Sequence, residues 1–195
     1  MKLKVLLAGL FLIASSTAAF AAGPYLGVAG GVSIVHDGDI DETGLELEYD
    51  TGYAFNVSAG YAFEPARVEF EFGYKNADLD KISGPGGSIS VSDADLTVMS
   101  YMVNGFYDLK IDNKITTYFG AGLGMINGEF EVEGDKEDDT QFGYQLIVGA
   151  AYNINKNIAL DLSYRFQHAP SDFEIEGTDV EYMSSNIMAG VRFNF

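Results

Sequence analysis

Apolar and polar residues alternate with a period of two in eight stretches of the chain. The alternation is clearest near the end, where Ile187, Ala189, Val191 and Phe193 are separated mostly by polar or small residues. A period of two indicates a β-strand with one apolar and one polar face. The pattern predicts strands at 25–35, 52–63, 67–74, 95–108, 115–125, 141–153, 158–167 and 182–195.

The predicted connections between these strands alternate in length. Short turns such as Glu64-Pro65-Ala66 and Asn155-Lys156-Asn157 follow every second strand. The long connections are acidic and lie at 36–50, 76–93, 127–140 and 168–181. An even number of antiparallel strands, with short turns at one end and long loops at the other, is typical of bacterial membrane barrels. We therefore predict an all-β fold, an eight-stranded antiparallel up-and-down transmembrane β-barrel.

The residues before the first strand have the features of a secretory signal peptide. Lys2 and Lys4 precede an apolar run at 5–13, and Ala19-Phe20-Ala21 fits the small-residue cleavage pattern. The apolar run is too short for a membrane-spanning helix. We expect a cleaved signal peptide at 1–21 and one barrel domain at 22–195.

The composition supports this assignment and excludes some functions. The 195 residues include 23 Gly, 12 Tyr and 14 Phe, which is typical of β-structure with close strand contacts. The chain has no Cys, so no disulfide stabilises it. The net charge of −18 excludes nucleic-acid binding, because phosphate contacts need a basic face.

A lipocalin, which is also an exported eight-stranded barrel, is the main soluble alternative. Its apolar face points inward to a ligand cavity. In this chain the apolar face is the larger one, and it carries aromatic residues near the strand ends, as lipid–water boundaries require. These residues are Tyr53, Phe63, Tyr74, Tyr107, Tyr152 and Tyr164. The pattern therefore favours the membrane barrel.

Three segments carry a resemblance to a known family. Residues 116–124 read TTYFGAGLG, residues 161–166 read DLSYRF, and the chain ends in Phe195. In these segments the chain resembles outer-membrane β-barrel proteins of the OmpA/OmpX kind, although Thr117 stands where a Pro is common. The resemblance extends over nearly all of 22–195.

The resemblance implies a location and partners. It implies a monomer in the bacterial outer membrane, surrounded by lipid and lipopolysaccharide. It also implies that the barrel-assembly machinery recognises the terminal strand, through Val191, Phe193 and Phe195.

Charged residues are expected inside the barrel, on the face opposite the apolar one. The set comprises Arg67, Glu69, Glu71, Lys75, Asp161, Arg165 and Arg192. Isolated charges in a narrow lumen would cost several kcal/mol each, so we expect them to pair. An eight-stranded barrel is just wide enough for side chains to fill it. We therefore predict a lumen packed with salt bridges. A gated or narrow pore, whose pairs rearrange, is the alternative.

Most of the 29 acidic residues lie in the four long connections, which predicts a strongly negative outer end. Such a surface could serve solubility alone, bridge divalent cations to lipopolysaccharide phosphates, or bind an extracellular partner. Within the first connection, Asp37, Asp39, Asp41 and Glu48 have a spacing similar to that of a Ca²⁺-binding loop. Glu42 departs from that pattern, because its position requires Gly.

Enzyme activity and a cofactor are not expected. His168 and Ser171 form the one His/Ser pair to consider, but residues three apart on a strand point to opposite faces, and Pro170 is expected to end the strand. We predict a structural or interaction protein that serves envelope integrity, surface adhesion or evasion. The alternatives are a narrow or laterally opening pore for small or hydrophobic solutes, and a lipid A hydrolase that uses Ser171.

Overall fold

The computed structural model describes residues 23–36, 38–40, 45–49, 51–84, 87–90, 94–132, 135–175 and 178–195. The expected signal peptide at 1–21 lies outside the described residues. The described part of the chain forms eleven β-strands. It contains no helix with the length and apolar character needed to cross a membrane.

Eight long strands form a barrel, and three short strands belong to its connections. The long strands are β1 (Gly23–Val35), β4 (Gly52–Ala62), β5 (Ala66–Gly84), β7 (Ala94–Lys110), β8 (Ile115–Val132), β9 (Asp135–Asn153), β10 (Ile158–Ile175) and β11 (Thr178–Asn194). The short strands are β2 (Gly38–Ile40), β3 (Leu45–Tyr49) and β6 (Gly87–Ser90). Each long strand pairs antiparallel with the next long strand along the chain.

The last strand closes the sheet on the first. β1 and β11 pair antiparallel from Tyr25 opposite Asn194 to Val35 opposite Ser184. Phe195 N also donates to Pro24 O at 3.0 Å. Closure leaves no strand edge whose N–H and C=O groups would lie unpaired in an apolar surrounding. The predicted eight-stranded antiparallel barrel is confirmed.

The alternation along the strands separates an outward and an inward face of the barrel wall. On β7, Met102 and Asn104 are buried in the lumen, whereas Tyr101 and Val103 point outward and are exposed. The outward face is apolar around the barrel. It includes the aromatic residues that the sequence places near the strand ends, Tyr53, Phe63, Tyr74, Tyr107, Tyr152 and Tyr164.

The strands are longer than predicted at the end opposite the short turns. β9 has 19 residues and β10 has 18, and both continue through segments that the sequence predicts as loops. Pro170 does not end β10, because pairing with β11 resumes after a register shift between Ala169 and Phe173. These segments are rich in Asp, Glu and Gly, which are depleted in strands. Pairing between neighbouring strands overrides that preference here.

The short strands continue the barrel wall where two long strands stop. β1 ends at Val35 and β4 begins at Gly52, and beyond this level β2 pairs with β11, β3 pairs with β5, and β2 pairs with β3. The wall therefore projects past the ends of β1 and β4. We call this projection the extension; it comprises β2, β3, β6 and the ends of β5 and β7 to β11 that lie farthest from the short turns.

Side chains fill the lumen as two apolar clusters with polar residues mostly between them. The cluster toward the short turns contains Phe106, Tyr118, Ile147, Ala151 and Ala159. The cluster toward the extension contains Val35, Ala77, Leu96, Val98, Met102, Ile126, Ala169 and Tyr182. The polar residues between them are therefore shielded from both ends of the barrel.

Candidate functional site

An ion pair crosses the middle of the lumen. Glu71 on β5 binds Arg165 on β10, at the opposite side of the barrel, and accepts a further hydrogen bond from Gln145 Nε2 at 3.1 Å. Glu71 is only 2% exposed. Removing a carboxylate from water costs several kcal/mol, so it needs partners of this kind.

Glu69 joins the same network through neutral side chains. Its carboxylate accepts hydrogen bonds from Tyr25 Oη at 3.0 Å and from Asn104 Nδ2 at 3.3 Å. Gln145 Nε2 donates to Asn104 Oδ1 at 2.7 Å as well as to Glu71. The network therefore joins side chains from five strands, β1, β5, β7, β9 and β10.

Arg67 on β5 ends the network toward the short turns. Its Nε lies 2.9 Å from both carboxylate oxygens of Asp108, and its Nη1 donates to Tyr25 Oη at 3.3 Å. The guanidinium also lies 4.4 Å and 4.9 Å from the ring centroids of Phe106 and Tyr118. Such cation–π contacts reach about 2 kcal/mol when the cation is desolvated. Arg67 is thus held by charge and by aromatic rings together.

Asp161 and Arg192 form a looser contact on the neighbouring strands β10 and β11. Arg192 Nη1 lies 4.0 Å from Asp161 Oδ2. The Tyr118 hydroxyl donates to Asp161 Oδ1, and the Arg192 guanidinium lies over the Tyr25 ring at 5.6 Å. The tyrosines Tyr25 and Tyr118 therefore connect this pair to the group around Arg67.

The hydrogen bonds of Lys75, like those of Glu69, are to neutral groups. Among the described residues, its ammonium donates to three neutral oxygens, Gln167 Oε1 at 2.5 Å, Ser184 Oγ at 3.1 Å and Tyr182 Oη at 3.2 Å. Three bonds use all the donors of an ammonium group. The sequence led us to expect an acidic partner at this position; neutral oxygens occupy it.

Most partners of these charges were not predicted from the sequence. Asp108, Tyr25, Asn104, Gln145 and Gln167 all stand at inward positions of the alternating pattern. The alternation along each strand, which places these residues on the inward face, was the signal available in the sequence. Which inward residues meet across a barrel depends on strand order and register, and a single strand does not reveal them.

Two small cavities lie in the lumen, on either side of the central ion pair. One has a volume of about 40 Å³ and lies toward the short turns, and the other has about 10 Å³ and lies beside Lys75. Asn56, Glu71 and Arg165 line both cavities. Volumes of this size hold a few water molecules at most. The Glu71–Arg165 pair therefore separates two narrow, polar spaces.

Acidic side chains face each other on the extension. Glu129 on β8 stands directly opposite Asp138 on β9, and Asp138 is exposed. Close by, Asn127 Nδ2 donates to Thr140 Oγ1 at 2.9 Å. Like charges that face each other directly destabilise a sheet. Asn127 Nδ2 also lies 3.5 Å from Asp138 Oδ2. The two carboxylates add to the negative charge of the extension.

The Ca²⁺ candidates fall outside what the structure describes. Asp37 and Asp41 lie beyond the described residues, and Asp39 and Glu48 are described by their backbone alone. Within the described ranges, no group of three or more His, Cys, Asp or Glu side chains could hold a metal ion.

The structure also locates the catalytic candidates and the terminal residues. His168 Nδ1 lies 3.1 Å from Tyr182 O. Ser171 is exposed, within the register shift of β10. Phe193 and Phe195 are exposed and Val191 is half-buried; their recognition by assembly machinery stays a prediction.

Comparisons with known proteins agree with this architecture. The family model described as outer membrane protein beta-barrel domain matches residues 5–193. A candidate adhesin of Rickettsia bellii is 25% identical over 202 residues, which cover 87% of each chain. The outer membrane protein PagN of Salmonella typhimurium is 23% identical over 227 residues, which cover 93% of each chain.

Solved structures share the fold at low sequence identity. Neisserial surface protein A superposes with a TM-score of 0.65 at 18% identity, covering 88% of this chain and 97% of its own. The outer membrane protein OprG of Pseudomonas aeruginosa gives a TM-score of 0.59 at 16% identity, covering 89% and 97%. These similarities concern the architecture of the barrel.

Proposed function

This chain belongs to the outer membrane protein beta-barrel domain family, and we propose that it is a surface-interaction protein whose extension binds a basic partner outside the cell. The protein lies in the bacterial outer membrane. Barrels of this class place their short turns in the periplasm and their long connections outside. The short turns of this chain are therefore its periplasmic rim, and the extension is its extracellular part.

The length of the strands carries the proposal. About ten residues are enough for a tilted strand to cross the hydrocarbon layer. β5 and β9 have 19 residues each, and β8 and β10 have 18. The surplus forms a β-walled projection rather than a set of separate loops. A projecting wall can present side chains at fixed spacing to a partner, which favours recognition.

The charge of the projection favours a basic partner. The segments that form it carry most of the acidic residues of the chain. Their only basic residues, counting Lys and Arg, are Lys81 and Lys136. Glu129 and Asp138 stand opposite each other on neighbouring strands. A negative surface attracts cationic groups and speeds their encounter. The candidate adhesin of Rickettsia bellii supports a role in surface contact.

A binding assay on whole cells tests the proposal. Cells that display the protein are incubated with polylysine-coated beads, at low and at high salt. We expect binding that falls with salt, and that falls several-fold in the double variant Glu129→Gln/Asp138→Asn. The matched control, Glu64→Gln/Asp112→Asn, removes two acidic charges at the periplasmic rim and should bind like wild type. Equal binding by both double variants would contradict the proposal.

A narrow pore is the second candidate, because one ion pair separates the two lumen cavities. Single-channel recording of the refolded protein in planar bilayers distinguishes the two functions. We expect a silent wild type, since apolar clusters block the lumen on both sides of the polar network. Discrete conductance steps that change in Glu71→Gln would instead favour the pore.

A further inference from the structure

A serine and a histidine meet on the outside of the barrel wall, far from the lumen network. His36 follows the last residue of β1, and Ser185 lies on β11. His36 Nε2 lies 2.8 Å from Ser185 Oγ, and Tyr164 Oη lies 2.8 Å from the same oxygen. The strand pattern does not join them, because 149 positions separate the serine from the histidine.

The backbone holds both residues in place. His36 N donates to Met183 O at 2.9 Å. Ser185 is paired with Ile34 on one side and with Phe166 on the other. The ring of His36 also lies 6.5 Å from that of Phe166, at a tilt of 53°. Ser185 therefore lies within the paired sheet, and His36 follows the end of β1 with its backbone N–H bound to β11. Backbone contacts of this kind keep functional groups in a productive geometry.

The site faces the outer boundary of the membrane. Ser184 and Asn186 are buried in the lumen, so Ser185 between them points outward. The next outward residue toward the periplasm, Ile187, is 51% exposed on the apolar wall. β1 ends one residue before His36, where the extension begins. With the extension outside the cell, as proposed above, the hydroxyl and the imidazole lie at the outer end of the apolar wall, where acyl chains meet lipid headgroups.

We propose that Ser185 and His36 are a nucleophile and base that hydrolyse acyl esters of lipids in the outer leaflet. A serine hydroxyl is a weak nucleophile until an adjacent base takes its proton, and a hydrogen bond of 2.6–3.2 Å, as found here, is the geometry required. A lipid needs no deep pocket to reach this site, because it diffuses along the barrel wall within the membrane.

The reaction proceeds in two balanced steps. Ser185 Oγ attacks the ester carbonyl while His36 Nε2 takes the hydroxyl proton, and His36 then gives this proton to the departing alcohol as the C–O bond breaks. Water next attacks the acyl-serine, with His36 taking and returning a proton, and a fatty acid leaves. Tyr164 Oη, within hydrogen-bond distance of Ser185 Oγ, orients the nucleophile.

Covalent labelling tests the nucleophile without any assumption about the lipid. The refolded full-length protein is treated with a fluorophosphonate probe, and the labelled peptide is identified by mass spectrometry. We expect label on Ser185, and its loss in Ser185→Ala and in His36→Asn. The matched controls Ser171→Ala and His168→Asn alter a serine and a histidine of β10 and should label like wild type. The heat-dependent gel shift of folded barrels shows that each variant is folded.

Acyl release identifies the substrate. Vesicles of glycerophospholipid and vesicles that contain lipopolysaccharide are incubated separately with each protein, and free fatty acid is measured. We expect release from at least one of them, reduced at least about 100-fold in Ser185→Ala and in His36→Asn. Release only from the vesicles that contain lipopolysaccharide would identify its acyl esters as the substrate. Release only from the glycerophospholipid vesicles would identify phospholipid as the substrate. No label on Ser185, or release that Ser185→Ala leaves unchanged, would overturn the proposal, whatever the result of the bead assay.

Discussion

The lumen and the rim formed by the short turns use the same kind of ion pair in opposite surroundings. In the Glu71–Arg165 pair of the lumen the side chains are 2% and 11% exposed. In the Lys110–Glu64 pair of the rim they are 56% and 40% exposed. Water screens the second pair and hydrates either charge if its partner is removed. In the lumen, removal of one partner leaves the other charge buried. Burial, more than the contact itself, decides what each pair contributes.

The two regions also differ in the groups to which their side chains form hydrogen bonds. In the lumen, side chains bond to side chains from distant strands, such as Glu71 to Arg165 and Lys75 to Gln167. At the rim, side chains bond to the backbone two or three residues away, as Asp112 does. A change in the lumen should therefore affect the whole barrel, and a change at the rim should stay local.

The largest effect is expected for Arg165→Met. This change leaves Glu71 buried without its cation, and removing one partner of a buried pair costs about 3–5 kcal/mol. The measurement is the free energy of unfolding in urea with the protein in lipid vesicles. The double variant Glu71→Gln/Arg165→Met removes both charges and should recover much of the loss. An Arg165→Met barrel as stable as wild type would show that the lumen does not isolate its charges.

A glycine on the inward face gives the next largest effect. A Cβ on Gly31 would lie 1.9 Å from the backbone oxygen of Ile187 on β11, which cannot move aside as a side chain can. Gly31→Ala should destabilise the closing β1–β11 pair by about 1–3 kcal/mol, as overpacking does. The outward Gly105 has no atom within 4 Å of its Cβ position. Gly105→Ala should be neutral or gain up to about 1 kcal/mol. Equal unfolding free energies of the two variants would contradict this steric argument.

The exposed pair of the rim should contribute little. Lys110→Met removes the cation that binds Glu64, and such surface pairs contribute about 0–1 kcal/mol. In the same urea titration, the free energy of unfolding of this variant should lie within that range of the wild-type value. Added salt should make the difference between the two free energies smaller still. A loss as large as that of Arg165→Met would remove the contrast between the lumen and the rim.

The barrel wall could be predicted from the sequence because its faces differ in polarity. Asn104 is enough to tell that the face of β7 with Met102 and Phe106 points into the lumen, since between 99 and 107 the opposite face has no polar side chain. That face holds Met99, Tyr101, Val103, Gly105 and Tyr107. The extension could not be predicted, because its acidic and glycine-rich strands are held by pairing with their neighbours against their own propensity.

The partners in the lumen and the outer Ser185–His36 contact were out of reach for a different reason. They join residues from strands that are far apart in sequence, and β10 meets β5 across the lumen only because of the strand order. The alternation of residues along each strand shows that Glu71 and Arg165 both point inward. It does not show that they are at the same height, because the height depends on the register of every strand between them.

Two turns of the rim separate the effect of charge from that of shape. Asp112 Oδ1 accepts hydrogen bonds from the N–H groups of Lys114 and Ile115, both at 2.7 Å. Asn155 Oδ1 accepts from Asn157 and Ile158 in the same way, at 2.8 and 2.9 Å, without a charge. These two backbone donors hold the pKa of the Asp112 carboxyl below its ordinary value.

The pH dependence of the rim follows from that direction. A carboxyl whose pKa is lower in the folded barrel stabilises it above the pKa of the unfolded chain, and this contribution is lost as the pH falls through the folded pKa. Asp112→Asn keeps an oxygen acceptor, as Asn155 does, and should lose only this pH dependence. The measurement is the carboxyl titration of Asp112 by NMR, beside urea unfolding of both proteins between about pH 7 and about pH 3. Because Asp112 is fully exposed, the difference in unfolding free energy between Asp112→Asn and wild type should be the smallest of the four effects predicted here. An ordinary pKa for Asp112 would mean that the charge of its carboxylate does not stabilise the turn.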